Sequence, residues 1–327
     1  MQITFINVGY GDAILFQCPD GYTVLLDGGS ALETEFADDP YRIRCADFLR
    51  RQNIRHLNAV IISHIHEDHV CGLEAVLQHI PVDHIFVPYP VEPFLKGREL
   101  HPAPDAFRSV PLYTNALNAY RRILLRAKEQ GVPITVIGPG DSLPLNPNLL
   151  IQVLAPKPAS IQAYMELVRY AYGAENGEAA VTEYLTKLDA TSNQTSLLLR
   201  IEMGKAVLLS AADSCPREWT EVPIFLLENE NVLKLPHHGQ IDSISEQFMK
   251  NMPLEYVITT SASDRRYNSA NPQVYQQLSQ WHEAHPPQFL FSDERSYPPY
   301  FSQPEGFQAI ALEIDSGGIT PKFIKNI

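Results

Sequence analysis

The 327-residue sequence has only four cysteines, Cys18, Cys45, Cys71 and Cys215, and no Cys-x-x-Cys pair among them. That scatter argues against a disulfide framework or a zinc–thiolate finger, and buried free thiols are expected instead. Cys71 lies two positions beyond the main motif described below. Positive charge is also scarce, with 25 Lys and Arg against 38 Asp and Glu for a net charge of −13. Broad binding to nucleic acid depends on neutralising phosphates, so such a chain is not expected to do it. A local basic groove could still come from Arg42, Arg44, Arg50, Arg51 and Arg55, or from the helical trio Arg121, Arg122 and Arg126. Solvated helix faces balanced by neighbouring acids are the simpler expectation. No apolar run approaches the roughly 20 residues of a membrane helix. The opening residues, Met1 to Val8, alternate like a strand and lack a basic segment followed by an apolar one, so they read as the first strand of a cytoplasmic protein.

What is present is ordinary for a globular chain, 45% apolar and 19% charged. Strand patterns at 2–8, 13–17 and 22–26 flank the turn Val8-Gly9-Tyr10-Gly11-Asp12-Ala13, and the third ends in Asp27-Gly28-Gly29. A short helix is predicted at 46–52, and a strand at 59–62 runs directly into a histidine cluster. Helical spacing over 72–79 and a strand at 84–87 follow. The Pro-rich stretch 88–111 reads as a loop or lid, and 113–130 as an amphipathic helix stopped by Gly131. Strands are expected at 133–137 and 149–154, then a helical pair over 159–190 broken near Gly173 to Gly177. The remaining pattern gives strands at 196–201, 206–210, 231–235, 256–260, 288–291 and 308–313, with a helix at 272–285. Strands with interspersed helices indicate a layered α/β fold. The expected organisation is one domain, 1–327, with insertions at about 88–130 and 159–190.

The chemistry concentrates in Ser63-His64-Ile65-His66-Glu67-Asp68-His69, three histidines and an aspartate within six residues. Side chains at i and i+2 of an extended segment point the same way, so His64 and His66 can hold one metal together. Where the chain turns toward a helix beginning near Gly72, Asp68 and His69 become free for a second metal. Imidazole with carboxylate suits zinc, and also manganese or iron. Asp213 ends the apolar run Val207-Leu208-Leu209, where a buried carboxylate needs a partner. His237 and His238 follow another apolar run and stand between Pro236 and Gly239, an unusual place for an idle pair.

His64-x-His66-x-Asp68-His69 matches the H-x-H-x-D-H motif of metallo-β-lactamase-fold hydrolases. Five further pieces resemble the hydrolase domain attached to the DNA-uptake channel ComEC and its free-standing relatives. Asn7-Val8-Gly9-Tyr10-Gly11-Asp12-Ala13 is similar to V-G-Q-G-D-A, with Tyr10 in place of Gln, and Leu25-Leu26-Asp27-Gly28-Gly29 to a strand-ending D-x-G. Asn193-Gln194-Thr195-Ser196-Leu197-Leu198-Leu199 resembles N-x-x-S-L-V-L. Leu209-Ser210-Ala211-Ala212-Asp213 resembles L-L-T-G-D, and Leu233-Lys234-Leu235-Pro236-His237-His238-Gly239 resembles L-K-V-x-H-H-G. The pieces keep the family order from residue 3 to about 240. The resemblance implies a four-layered αββα sandwich and two divalent ions, Zn foremost with Mn as the alternative. It also implies that Asp213 bridges them. His238 is then expected to bind the second ion and His237 to meet the substrate phosphate or leaving group, with the reverse assignment left open. Asp27 would orient the histidine loop, Asp12 would contact that loop, and Asn193 would stand beside the first ion or the substrate.

Two departures from the family pattern stand out. The only histidines between the motif and Asp213 are His79, His84 and His101, all too early to supply a third ligand to the first ion. Where relatives carry N-x-Y-G-H-P, this chain reads Arg266-Tyr267-Asn268-Ser269-Ala270-Asn271-Pro272, so a substrate-side histidine is lacking. The expected function is a metal-dependent hydrolase, foremost a phosphodiesterase or nuclease using a metal-bound hydroxide, with Asp68 and His237 as catalytic residues. Its partner would be a small phosphodiester or single-stranded nucleic acid. A carbonyl hydrolase acting on a lactone or thioester, marked by a tyrosine or apolar pocket near the ions, is the alternative; a non-catalytic binding protein is another. Tyr164, Tyr170, Tyr172 and Tyr184 could stack bases, although a packing face of an inserted helix explains them more simply, and Arg265 and Arg266 could meet a phosphate.

Overall fold

The alternating amino-terminal run does form a strand, and a computed structural model describing residues 1–173, 177–293, 295 and 299–325 shows what it joins. One sheet begins with β1 (Gln2–Ile6), β2 (Ile14–Gln17), β3 (Thr23–Leu26), β4 (Ala59–Ile61), β5 (Ile85–Val87) and β6 (Ile134–Val136). The second contains β7 (Ser142–Asn146), β8 (Leu149–Ala155), β9 (Leu198–Met203), β10 (Ala206–Ser210), β11 (Val232–Lys234), β12 (Tyr256–Thr259) and β13 (Gln288–Phe291). The last strands, β14 (Ala309–Ile314) and β15 (Ile319–Ile324), return to the first sheet, whose order is β15-β14-β1-β2-β3-β4-β5-β6. The second sheet runs β13-β12-β11-β10-β9-β8-β7.

Parallel pairing from β3 through β6 requires crossovers, and helices supply them. They are α1 (Glu33–Phe36) and α2 (Cys45–Arg51), then α3 (Glu67–Val70) and α4 (Leu73–His79), then α5 (Glu92–Lys96) and α6 (Ser109–Glu129). Helices α7 (Pro158–Gly173) and α8 (Gly177–Ser192) come between β8 and β9 and pack into the helical layer on the first sheet, and the second sheet carries α9 (Glu246–Met249) and α10 (Pro272–Trp281). Three apolar layers follow from the period-two alternation of the strands. Phe5, Phe16, Val24 and Ile61 meet Ile151, Leu199, Leu208 and Ile258 between the sheets. Leu25, Val60 and Ile85 turn the other way, toward Phe48, Val76, Leu117 and Tyr120 of the helices. On the far side, Leu209, Leu233 and Val257 pack with Trp219, Phe248, Val274 and Leu278. Helix, sheet, sheet, helix is the αββα sandwich expected.

The differences from sequence expectation are local. Helix α6 starts at Ser109, four residues earlier than predicted, because Pro111 sits in its first turn, where proline removes no helical hydrogen bond. The segment 88–111 is not a loose lid. Phe94 and Leu100 are buried in the helical core layer, and the Leu100 backbone is clamped by the Asn118 amide. Strands β7 and β15 lie at the two sheet edges, where an exposed strand has no apolar alternation to betray it, and β7 carries Pro144 there. The predicted break in the 159–190 pair falls on 174–176, outside the described residues. Tyr164 is buried and Tyr172 packs against the same core, while Tyr170 and Tyr184 stack on each other. Among the described residues no helix is long and apolar enough to cross a membrane.

Candidate metal centre

Loops leaving the ends of β3, β4, β10 and β11 converge at one end of the sandwich. The motif stays extended through His66 (φ −134°, ψ 159°) and then enters α3, an unpredicted single turn from Glu67 that precedes α4, the helix expected over 72–79. His64 and His66 therefore leave the extended part, and Asp68 and His69 the helical turn. The Gly-rich turn after β1 lies against this loop: a Cβ on Gly11 would sit 2.2 Å from the Asp68 carbonyl oxygen. Gly9 and Gly11 also hold positive φ, so both steric access and backbone conformation demand glycine there. The backbone N–H of Asp12 donates to the same carbonyl, so Asp12 does contact the motif loop.

Six of the predicted site residues come together as two groups of three, His64 with His66 and Asp213, and Asp68 with His69 and His238. His64 Nε2 stands 3.1 Å from His66 Nδ1 and 3.8 Å from Asp213 Oδ2. The other Asp213 oxygen, Oδ1, faces the second group, 3.3 Å from His69 Nε2 and 3.2 Å from His238 Nε2. Asp68 Oδ2 closes that group at 3.0 Å from His238 Nε2. His69 Nε2, His238 Nε2 and Asp213 Oδ1 are all buried without a hydrogen-bond partner. A buried polar atom left unmade costs about 1–3 kcal/mol, and three converging on one point fit a cation that would satisfy them together. The donor set, imidazole nitrogens plus carboxylates, suits zinc or manganese.

The far nitrogens of the rings are held by the protein. Asp27 accepts from the backbone N–H and hydroxyl of Ser63 and lies 2.9 Å from His69 Nδ1, while the Thr260 carbonyl fixes His238 Nδ1 at 2.7 Å. Ser63 Oγ lies 3.0 Å from His64 Nδ1. Such partners fix the rotamer and the tautomer of a ligand imidazole. The further grouping of Asp12, Asp27 and His69 is explained by these same bonds. Burial opposes the ionisation of Asp213, yet His238 and His69 hold its carboxyl well below the usual range. Burial depresses the His64 imidazole, with His69 and His66 adding to the effect. For His238 burial also disfavours charge, but Asp213 and Asp68 outweigh it and raise the group to about 9.

His237 does not join either group. It and His238 occupy consecutive left-handed conformations (φ 47° and 53°), a strained arrangement that turns the two rings apart. His238 is fully buried at the centre, whereas His237 lines the cleft outside it, its Nε2 3.2 Å from Asn193 Nδ2 and 2.9 Å from Gln240 Nε2. Asn193 thus sits beside His237 rather than completing the first group. The cleft has a volume of about 380 Å³. Tyr10 covers His238 at 4.3 Å between ring centres, and Tyr113 lies edge-on to His66 at 6.0 Å. Arg266 and Tyr267 also line it, but Arg266 is already paired with Glu35 and Asp264. Asn271, where relatives approach their histidine, caps α10 by accepting from the Gln273 N–H.

Sequence reasoning missed Asp189, whose Oδ1 lies 3.6 Å from His66 Nε2. The available signal was its spacing, four residues before Asn193 and so on the same side of a helix end. His79, His84 and His101 belong to neither group, and His84 instead bonds Thr135 and stacks on Phe86. If His66 holds an ion, Asp189→Ala is expected to weaken its binding by about 10- to 100-fold, read by chelator competition; unchanged affinity would show that Asp189 does not orient that ring.

Residues 6–149 match the family model described as Metallo-beta-lactamase superfamily. ComE operon protein 3 of Bacillus subtilis (strain 168) is 24% identical over 289 residues, which cover 85% of this chain. The chain spans only about 30% of that relative's length. Zn(2+)-bound PqqB from Methylobacterium extorquens is similar in structure, with 11% identity, coverage of 89% of this chain and 97% of its own, and a TM-score of 0.46. A diphosphatase from the PhnP family gives 13% identity, 85% and 92% coverage and a TM-score of 0.41. Residues 6–149, a little under half of the chain and the part that carries the His64–His69 motif, are thus similar to the metallo-beta-lactamase superfamily.

Proposed function

We propose that the protein hydrolyses phosphodiesters at a centre of two divalent ions, Zn foremost, held by His64, His66, Asp68, His69, Asp213 and His238. The observation that carries this reading is Asp213, whose two oxygens face two different histidine groups. Two bound divalent ions would neutralise a phosphoryl anion and lower the pKa of water at neutral pH, which suits in-line displacement at phosphorus. Asp68 points its carboxylate into the same space and is assigned the orientation of the nucleophile. His237 reaches the cleft beside the Asn193 and Gln240 amides, where it would contact a phosphoryl oxygen or the leaving group.

The size of the cleft favours a small ester or a single-stranded end over a duplex. The arginine groups offer no ready phosphate track, because Arg42 is paired with Asp293, Arg50 with Asp47 and Arg122 with Glu74 and Glu99. The complete set of six metal-binding side chains speaks against a purely non-catalytic role. A second reading, hydrolysis of a lactone or thioester, draws support from Tyr10, Tyr113 and Leu112 at the cleft wall, which form the tyrosine and apolar lining such substrates would use. We read 1–327 as one domain, since β14 and β15 complete the sheet that β1 begins, and as cytoplasmic, where its four free cysteines would stay reduced.

The test is hydrolysis of bis-p-nitrophenyl phosphate with Mn or Zn, run beside a lactone and a thioester and with the His66→Ala/Asp68→Ala double variant. Metal-dependent release of nitrophenol that disappears in the variant is expected. Turnover of a carbonyl substrate alone would replace the phosphodiester reading by the second.

A further inference from the structure

We propose that Cys215, His237 and Asp242 form a third metal site, outside the six-residue centre and suited to zinc or another thiophilic divalent cation. Neither group of the main centre contains a cysteine, and nothing in the proposed hydrolysis uses a thiol. The three side chains are nonetheless brought together from three short segments by the turns that build the centre itself. Cys215 follows Asp213 by two residues and caps the 3-10 turn Pro216–Glu218. His237 is turned away from His238 by the paired left-handed conformations, and Asp242 lies in the next 3-10 turn, Ile241–Ser243.

The geometry fits coordination. Zinc takes thiolate at about 2.3 Å and imidazole nitrogen or carboxylate oxygen at about 2.0–2.2 Å, so a tetrahedral angle separates S from N by about 3.6 Å and N from O by about 3.3 Å. Cys215 Sγ lies 3.7 Å from His237 Nδ1, and Asp242 Oδ1 lies 3.1 Å from the same nitrogen. The ligand atoms of all three lie within 4.8 Å of one another. Thiolate, imidazole and carboxylate together select a borderline-soft ion such as Zn²⁺ over Mg²⁺ or Ca²⁺. Cys215 is buried, whereas the His237 and Asp242 side chains keep 20% and 35% of their exposure, which leaves room for water or a substrate atom as a fourth ligand.

An ion on His237 Nδ1 would place the ring proton on Nε2, toward the cleft. Asn193 Oδ1 is buried without a partner, and half-turns of the Asn193 and Gln240 amides would replace their two donors at this nitrogen by oxygens able to accept this proton. The third site thus gives His237 a fixed donor role at the cleft whatever bond the main centre cleaves.

Cobalt substitution separates this site from the main centre, because imidazole and carboxylate ligands give no thiolate-to-cobalt charge-transfer band. The metal-free full-length protein is titrated with Co²⁺, and absorbance and bound cobalt are followed together in wild type, Cys215→Ser and Cys71→Ser. The expected result is a near-ultraviolet charge-transfer band in wild type and Cys71→Ser that is lost, with one equivalent of cobalt, in Cys215→Ser. Absence of the band in wild type at saturating cobalt, or its survival in Cys215→Ser, overturns the site. Should Cys215→Ser not fold, Asp242→Asn decides. The band is expected to need roughly tenfold more free cobalt in that variant, and an unchanged titration overturns the proposal.

Discussion

Asp213→Ala is expected to remove most of the bound metal and to lower kcat by on the order of a thousandfold or more. The size follows from position rather than from charge alone. Asp213 faces His64 through one oxygen and His69 with His238 through the other, so one substitution deprives both groups of a ligand. It also removes the carboxylate that, against complete burial, does most to raise the His69 and His238 imidazoles. Asp213→Asn separates shape from charge, because the amide keeps the volume and one acceptor oxygen. Metal content measured by elemental analysis and turnover measured on the phosphodiester should fall together in both variants. Undiminished metal content and turnover in Asp213→Asn would overturn the proposed bridge.

The second large effect concerns stability. Lys234, at the end of β11, is fully buried, donates to the Ala212 carbonyl at 3.0 Å and pairs with the equally buried Asp12. Asp12 belongs to the Gly-rich turn after β1 and also accepts from the Thr260 hydroxyl. The pair therefore ties the second sheet to the turn of the first, directly behind His69 and His238. Removing one partner of a buried pair leaves an uncompensated charge and costs about 3–5 kcal/mol. Lys234→Met is accordingly expected to lower Tm by on the order of 10 °C. Adding Asp12→Asn should restore part of the loss, since the stranded carboxylate disappears, giving a double variant more stable than the two single losses summed. A Tm shift of only a degree or two in Lys234→Met would mean that water or a neighbouring group relieves Asp12.

The residues that the structure gathers into the candidate centre were largely legible. Three histidines and an aspartate directly after an apolar strand can be read for their directions, because an extended segment sends His64 and His66 to one side and the following turn releases Asp68 and His69. The left-handed double turn at His237 and His238 could not be read, since consecutive positive φ values in non-glycine residues are imposed by surrounding structure rather than by local preference. That turn decides which histidine enters the centre and which faces the cleft. Asp242 and Lys234 were equally unassigned, because a carboxylate or ammonium in a turn or strand carries no local sign of what it will meet, and Asp189 offered only its spacing from Asn193.

Sequence pattern made a layered α/β fold readable, for alternation in strands such as β8 and β9 marks the side chains to be buried between sheets, whereas the αββα order was what the family resemblance implied, and the spacing in the motif suits metal. The edge strands β7 and β15 escaped it because an edge position imposes little burial and so leaves no pattern. Only the tertiary structure decided that loops from both sheets close on one point, that Asp213 stands between two histidine groups, and that Cys215 lies beside His237. The physical reason is common to all three. Contacts between residues roughly 20 to 170 positions apart, such as Cys215 with His237 and Asp68 with His238, are set by how the two sheets pack, and packing is a property of the whole core rather than of any short stretch of chain.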